Sequence, residues 1–360
     1  MSQKRLNQKR ISTVQKSLSS LAVDTLVITD PIDLFYLSGM HLSLGTIVIK
    51  KNAATLIVDN RYFEKCQKEA SLPVVPLEPD ALKNLLSKSK IVGFAQENLT
   101  YASFLKLQQA TKATLVPLEF PMQQIRAIKE PSEVKALEKA IELCYQGFDF
   151  IKDHLRVGVT ESSLAKDLEI FWLKNGGEKL SFDSIIAFGK SSSMPHYRAS
   201  NTALKANQIV LVDIGVVVDG YASDMTRVFF FGKPDPRLEK IYDIVLDAQQ
   251  KSIKAIKPSV SCAKAYDVSK KIIDRAGYGD KYLHGLGHGI GLETHEYPNL
   301  RAANKDILLQ PGMCVTVEPG IYLADVGGVR IEDMVLVTDD ACRNLTSGYP
   351  KAKIILPVRR

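Results

Sequence analysis

Four carboxylates stand where apolar strands should exclude them. In IVLVDIGVVVDGYASDMTRVFFF, residues 209–231, two β-type runs flank Asp219–Gly220, a strong two-residue hairpin signal. A turn there places Asp213 opposite Thr226 and Gly215 opposite Asp224. Side chains alternate between faces, so Asp213, Gly215 and Asp224 share one face, with the glycine leaving room beside the acids. CVTVEPGIYLADVGGVRIEDMVLV, residues 314–337, repeats the plan with Glu318 and Glu332. A turn centred near Asp325 sets these two roughly opposite. Arg330 shares the face of Glu332 and can offset part of its charge. Buried like charges repel unless a proton or a cation lies between them.

Four of the six histidines fall between His196 and His295, and HGLGHGIGLETHEYP, residues 284–298, is punctuated by glycines that allow close backbone approach. One imidazole with four carboxylates forms a hard, oxygen-rich donor set suited to Mn²⁺, Co²⁺, Fe²⁺ or Zn²⁺. Four negative charges exceed what one divalent ion needs and balance two.

VDIG, DGYASDMTR, GHGIGLETHE, VEPGIY and GVRIED, in this order, resemble the signature set of the pita-bread metallopeptidases, which include methionine aminopeptidase, aminopeptidase P and prolidase. The resemblance spans about residues 125–337. It implies the metal ligands Asp213, Asp224, His288, Glu318 and Glu332, holding two divalent ions, Mn²⁺ first and Co²⁺ or Zn²⁺ as alternatives. It further implies Glu318 as proton carrier, His196 and His295 as catalytic and substrate-side histidines, and His284 as a pocket histidine of the proline-specific branch. The amino-terminal half (LFYLSG, VDNRYF, GFAQENLT) is similar to the extra domain of prolidase and aminopeptidase P, which methionine aminopeptidases lack. The implied substrates are therefore peptides with proline second, cleaved at the Xaa-Pro bond, and the implied assembly is a homodimer. Dipeptidases in this family often carry arginine four residues after the second histidine. Here that position is Asn299, with Arg301 or Arg330 as possible substitutes, so the sequence leans toward an Xaa-Pro aminopeptidase, the alternative being an Xaa-Pro dipeptidase. A metal-free relative like creatinase, or a non-catalytic binding module on this fold, would lose ligands. All five are present.

The elements that must position these groups make an α/β (α+β) protein of two domains, a creatinase-like α/β domain over 1–122 and a pita-bread catalytic domain over 123–360. Runs at 24–30, 46–50, 54–59 and 90–96 read as strands, with helical spacing at 81–90 and from Phe104. Pro131 suits a first helical turn, and Val134, Leu137, Ile141, Cys144 and Phe148 then form an apolar stripe. Further helices are expected over 161–175, 236–257 and 262–276, with strand-rich stretches at 208–232 and 312–337. The chain of 360 residues exceeds the usual limit for one core.

A net charge of +7 spread over dispersed lysines gives no basic stripe, so no nucleic acid is expected. Five scattered cysteines without a CxxC pair argue against a disulfide framework or structural zinc and fit a reducing, cytoplasmic setting. Nothing reads as a secretory signal or membrane span. FGKSSS, residues 188–193, lacks the first glycine of a phosphate loop, no GxSxG elbow occurs, and Cys314 and Trp172 read as core.

Overall fold

The computed structural model describes residues 3–359, divided between Ile125 and Arg126 into two compact units. The sequence places the boundary near residue 122, and a short helix, Gln123–Ala127, straddles the division.

The first unit is a six-stranded mixed sheet in the order 74–76, 53–58, 46–50, 25–28, 91–95, 114–118. Strand Thr25–Ile28 is central, antiparallel to Thr46–Lys50 and parallel to Ile91–Ala95. Its core joins Val27, Val48, Ile57, Val92 and Phe94 to the helix residues Leu86 and Leu107. Helices Gln3–Ser17, Pro31–Ser38 and Asn60–Glu69 complete the layer and were not singled out from the sequence. His41 stacks on Phe35 at 4.1 Å between centroids, a packing role.

The second unit opens with helix Pro131–His154, where the Glu133 carboxylate accepts from the Glu130 amide at 2.9 Å and so caps the first turn. Its buried stripe runs through Leu137, Ile141, Cys144, Phe148 and Ile151. Trp172, on helix Glu161–Lys174, lies so close to Gly147 that a Cβ there would approach its ring to 2.6 Å, and its indole N–H donates to Leu143 O. Trp172 is core, as its spacing indicated. Helix Pro236–Ala255 buries Leu238, Ile241, Tyr242 and Val245 against the strands carrying Ile209, Leu211, Val228, Phe230 and Val329. Cys262 and Ala265, from helix Cys262–Arg275, pack with Val315, Val317 and Val335. Largely antiparallel sheets backed by these helices make the pita-bread layer.

Two hairpins form its working face. Strands Gln208–Ile214 and Met225–Phe231 pair with Asp213 opposite Thr226, and the tip closes through Asp219 (φ 51°) and Gly220 (φ 79°), a type I′ turn. The ladder is interrupted at Gly215, where a Cβ would lie 2.0 Å from Ser223 O. Gly215→Ala must therefore push two strands apart, and is expected to cost about 1–3 kcal/mol, read as a lower melting temperature. The second hairpin pairs Val317 with Asp333 and Gly320 with Arg330 around Asp325, which sets Glu318 across from Glu332. Glu318 does not interrupt a strand as expected. It follows Cys314–Val317 and precedes Pro319, where the chain passes from one sheet to the next.

Candidate metal centre

A cavity of about 460 Å³ opens on this face, and all nine side chains singled out from the sequence line it: His196, Asp213, Asp224, His284, His288, His295, Glu318, Arg330 and Glu332. Asp213 and Asp224 come from the first hairpin and Glu318 and Glu332 from the second. His288 sits on the short strand Gly287–Gly289 between its two neighbours. The glycines around it answer a packing demand: a Cβ at residue 287 would meet Thr316 O at 2.1 Å, and one at residue 289 would meet Tyr297 O at 2.3 Å. Adjacent strands, not a ligand, are what that backbone approaches.

Asp224, His288 and Glu332 present ligand atoms within 4.8 Å of one another. The Glu318 Oε1 atom lies 3.3 Å from His288 Nε2, and Asp224 Oδ2 lies 3.6 Å from the same nitrogen. Asp213 adjoins through Arg330, whose Nη2 donates to Asp213 Oδ2 at 2.5 Å. The arginine thus pairs with Asp213 across the hairpins, and its charge also offsets part of that of Glu332, as expected from their shared face. Burial, followed by the mutual repulsion of the carboxylates, pushes Asp224 and Glu332 well above the usual carboxylate range. Burial also raises Asp213, against the pull of Arg330. Glu318 is partly exposed and behaves differently. Burial would raise it, but the hydrogen bond and charge of His288 outweigh this and bring it to about 2. His288 responds in kind, raised by Glu318 against its own burial.

These residues fit divalent cations. Four acids cluster in this cavity with Arg330 the only cation bonded to one of them, and among the described residues Asp213 Oδ1 is buried with no hydrogen-bond partner. His288 Nδ1 is 3.0 Å from Gly289 O, a contact that requires Nδ1 to carry a proton, so Nε2, which faces Glu318 and Asp224, is the nitrogen that would give up its proton to bind a cation.

Around the acids lies a supporting shell that motif reading missed. Thr226 Oγ1 donates to Glu332 Oε2 at 2.7 Å and accepts from Arg330 Nε at 3.0 Å. The Tyr322 hydroxyl accepts from Arg330 Nη1 at 2.7 Å and lies 2.8 Å from His284 Nε2, whose ring is fixed at its other nitrogen by Gly285 O. Glu296, next to His295, accepts from Arg126 at 3.0 Å and Lys129 at 2.7 Å, all three buried. The available signal for Thr226 was its place opposite Asp213. Burial lowers His284 below the ordinary imidazole range. His295 is exposed at the rim on one side and packed on the other, its ring 4.1 Å from that of His288. That packing, then the His288 charge, brings it to about 4. His196 is exposed and lines the same cavity. Cys314 is buried, its thiol pushed by burial up to about 12, and it lies outside the cavity lining.

A mixed-sheet amino-terminal unit followed by a two-hairpin carboxylate cavity defines a two-part metal-dependent hydrolase. The chain belongs to metallopeptidase family M24, matched over residues 135–339, and residues 10–128 match the creatinase/prolidase N-terminal domain. It is 32% identical to the Xaa-Pro dipeptidase of Pyrococcus furiosus over 94% of this chain and 98% of that protein. The structure of the Xaa-Pro dipeptidase from Bacillus anthracis superposes with a TM-score of 0.93 at 34% identity, covering 97% of this chain and all of that one. An X-Pro aminopeptidase from Thermotoga maritima follows at 0.87 and 30%, covering 95% and 100%. Dipeptidase and prolidase names predominate among the proteins compared, so the aminopeptidase reading is not favoured over the dipeptidase one. Among the described residues no helix is long and apolar enough to cross a membrane.

Proposed function

We propose that this chain is an Xaa-Pro dipeptidase that hydrolyses the bond before a terminal proline. The carrying observation is that four acids and His288 meet in the same cavity as three further histidines and an arginine at the wall. Asp213, Asp224, His288, Glu318 and Glu332 would hold two divalent ions, Mn²⁺ first and Co²⁺ or Zn²⁺ as alternatives. Such ions make a water nucleophilic at neutral pH and polarise a carbonyl. Glu318, the most open of the four carboxylates, accepts the proton of the attacking water and delivers it to the departing prolyl nitrogen. His196 and His295 face the cavity from two loops and donate hydrogen bonds to the carbonyl oxygen as charge develops on it. His284 shapes the wall. Proline has no amide hydrogen, so the scissile bond needs no donor-accepting partner in the cavity.

The preference for dipeptides follows from Arg301. Its Nη2 donates to Asn299 Oδ1 at 3.2 Å, and both residues line the cavity, so Asn299 holds a cation there instead of supplying one. Arg330 is committed to Asp213, Thr226 and Tyr322 and stays with the acids. A free prolyl carboxylate left unpaired in this cavity would be costly, and Arg301 meets it. Arg301→Ala is expected to raise KM for Xaa-Pro roughly tenfold, the low end for a charged hydrogen bond at about 1.5 kcal/mol, with little change for Xaa-Pro-Yaa. Steady-state kinetics on both substrates decides. Equal losses, or a wild type that prefers tripeptides, would return the function to an aminopeptidase.

A further inference from the structure

We infer that Glu161 is a positioning residue for His196, acting from outside the cavity through the loop that carries that histidine; the inference rests on the proposed role of His196. Glu161 is the first residue of helix Glu161–Lys174 and is wholly buried, at 0% exposure. A carboxylate so placed is costly unless its oxygens are satisfied. Its Oε1 accepts from the Phe188 amide at 2.8 Å. Its Oε2 accepts from Tyr197 Oη at 2.7 Å, Ser200 Oγ at 2.9 Å and the Ser200 amide at 3.1 Å.

These donors bracket the chain that bears His196. Phe188 ends strand Ile185–Phe188, just before the 3₁₀ turn Gly189–Ser193. Tyr197 and Ser200 lie just beyond the histidine. One carboxylate therefore fixes both ends of the segment. The helix itself adds two backbone bonds, Glu161 N to Thr202 O at 3.1 Å and Ser162 N to Ser200 O at 2.8 Å. The negative charge lies at the positive end of the helix, which favours it there. His196 is itself exposed at the rim, so its aim toward the substrate carbonyl depends on how this segment is held, by Glu161 together with the packing of Tyr197 on the core and the Arg330 Nη1 donation to Pro195 O at 3.4 Å. Glu161 does not line the cavity.

A glutamine at 161 keeps the volume but has one accepting oxygen for four donors, and its NH₂ must face some of them. Glu161→Gln is expected to lower kcat on Met-Pro by tens of fold, within the ~10²-fold that about an ångström of misplacement can cost, with KM changed by less than about threefold. Helix docking should persist, because Leu164, Leu168 and Trp172 are buried independently of the carboxylate. Emission of Trp172, the sole tryptophan, then stays as in wild type, as does bound metal. The decisive measurement is a double-mutant cycle. In a His196→Ala background, Glu161→Gln should lower kcat by less than about twofold, since the group it positions is gone. Tyr197→Phe removes one donor without displacing the carboxylate. It should give a smaller loss of about three- to tenfold that likewise vanishes with His196→Ala. Losses that multiply in full with His196→Ala would overturn the inference while leaving the dipeptidase reading intact. A His196→Ala enzyme with unchanged kcat would overturn the role of His196 and the inference with it.

Discussion

Glu332→Gln or Asp224→Asn is expected to abolish Xaa-Pro hydrolysis and remove most of the bound metal from protein reloaded with Mn²⁺ or Co²⁺, which in the unaltered chain should hold two ions. Asp224, Glu332 and His288 hold ligand atoms within 4.8 Å of one another, so loss of one acid breaks the shared cluster. The charge argument points the same way. Burial and repulsion push Asp224 and Glu332 toward the protonated state, and a cation is what lets both ionise together. Thr226→Val sets the scale. It removes a hydrogen bond to Glu332 and should cost roughly 10–100-fold in metal affinity, as supporting partners do. Replacing the ligand should exceed that. Elemental analysis beside steady-state rates provides the check, and chelation should also lower the melting temperature, since ions at ~1,000 times their Kd stabilise the folded state by about 4 kcal/mol. Full activity in exhaustively chelated protein would end the metal reading.

What could be read from the sequence was local. Asp219–Gly220 fixed one turn and the spacing about Asp325 fixed another, and the two-residue period of a strand then decided which acids share a face. Helices with a clear apolar stripe, such as 131–154 and 262–275, announced themselves. Asn60–Glu69 buries only Cys66 and so shows no stripe. Strands 74–76 and 114–118 are the two edges of their sheet and contain Pro76 and Pro117, which edge strands tolerate and which mask strand character. Long-range partners left no periodic trace. Arg330 and Asp213 are 117 residues apart, and Arg126 and Glu296 are 170 apart. Arg330 could be placed on a face, but its partner across the hairpins could not. Asn299 lacks charge, a fact plain in the sequence, while its grip on Arg301 depends on the turn after strand Glu296–Leu300.

His196→Ala and His295→Ala are each expected to lower kcat by roughly 10²–10³-fold while leaving metal content within error, the size of effect found when one donor to a developing oxyanion is lost. Their placement sets them apart from the proposed ligands. His288 is buried among the acids, whereas His196 and His295 are exposed at the rims of the cavity. His295 adds a test of its own. Its ring is held at about 4, so near neutral pH it is an uncharged imidazole that donates one hydrogen bond without bringing charge to the centre. Because its pKa is depressed, protonation begins only as the pH falls toward 4. It is therefore not expected to titrate between pH 6 and 9. His295→Ala should depress the whole kcat profile between pH 6 and 9 by the same factor without moving its inflections. A shifted inflection would make His295 the titrating acid or base, and loss of metal in either variant would make that histidine a ligand.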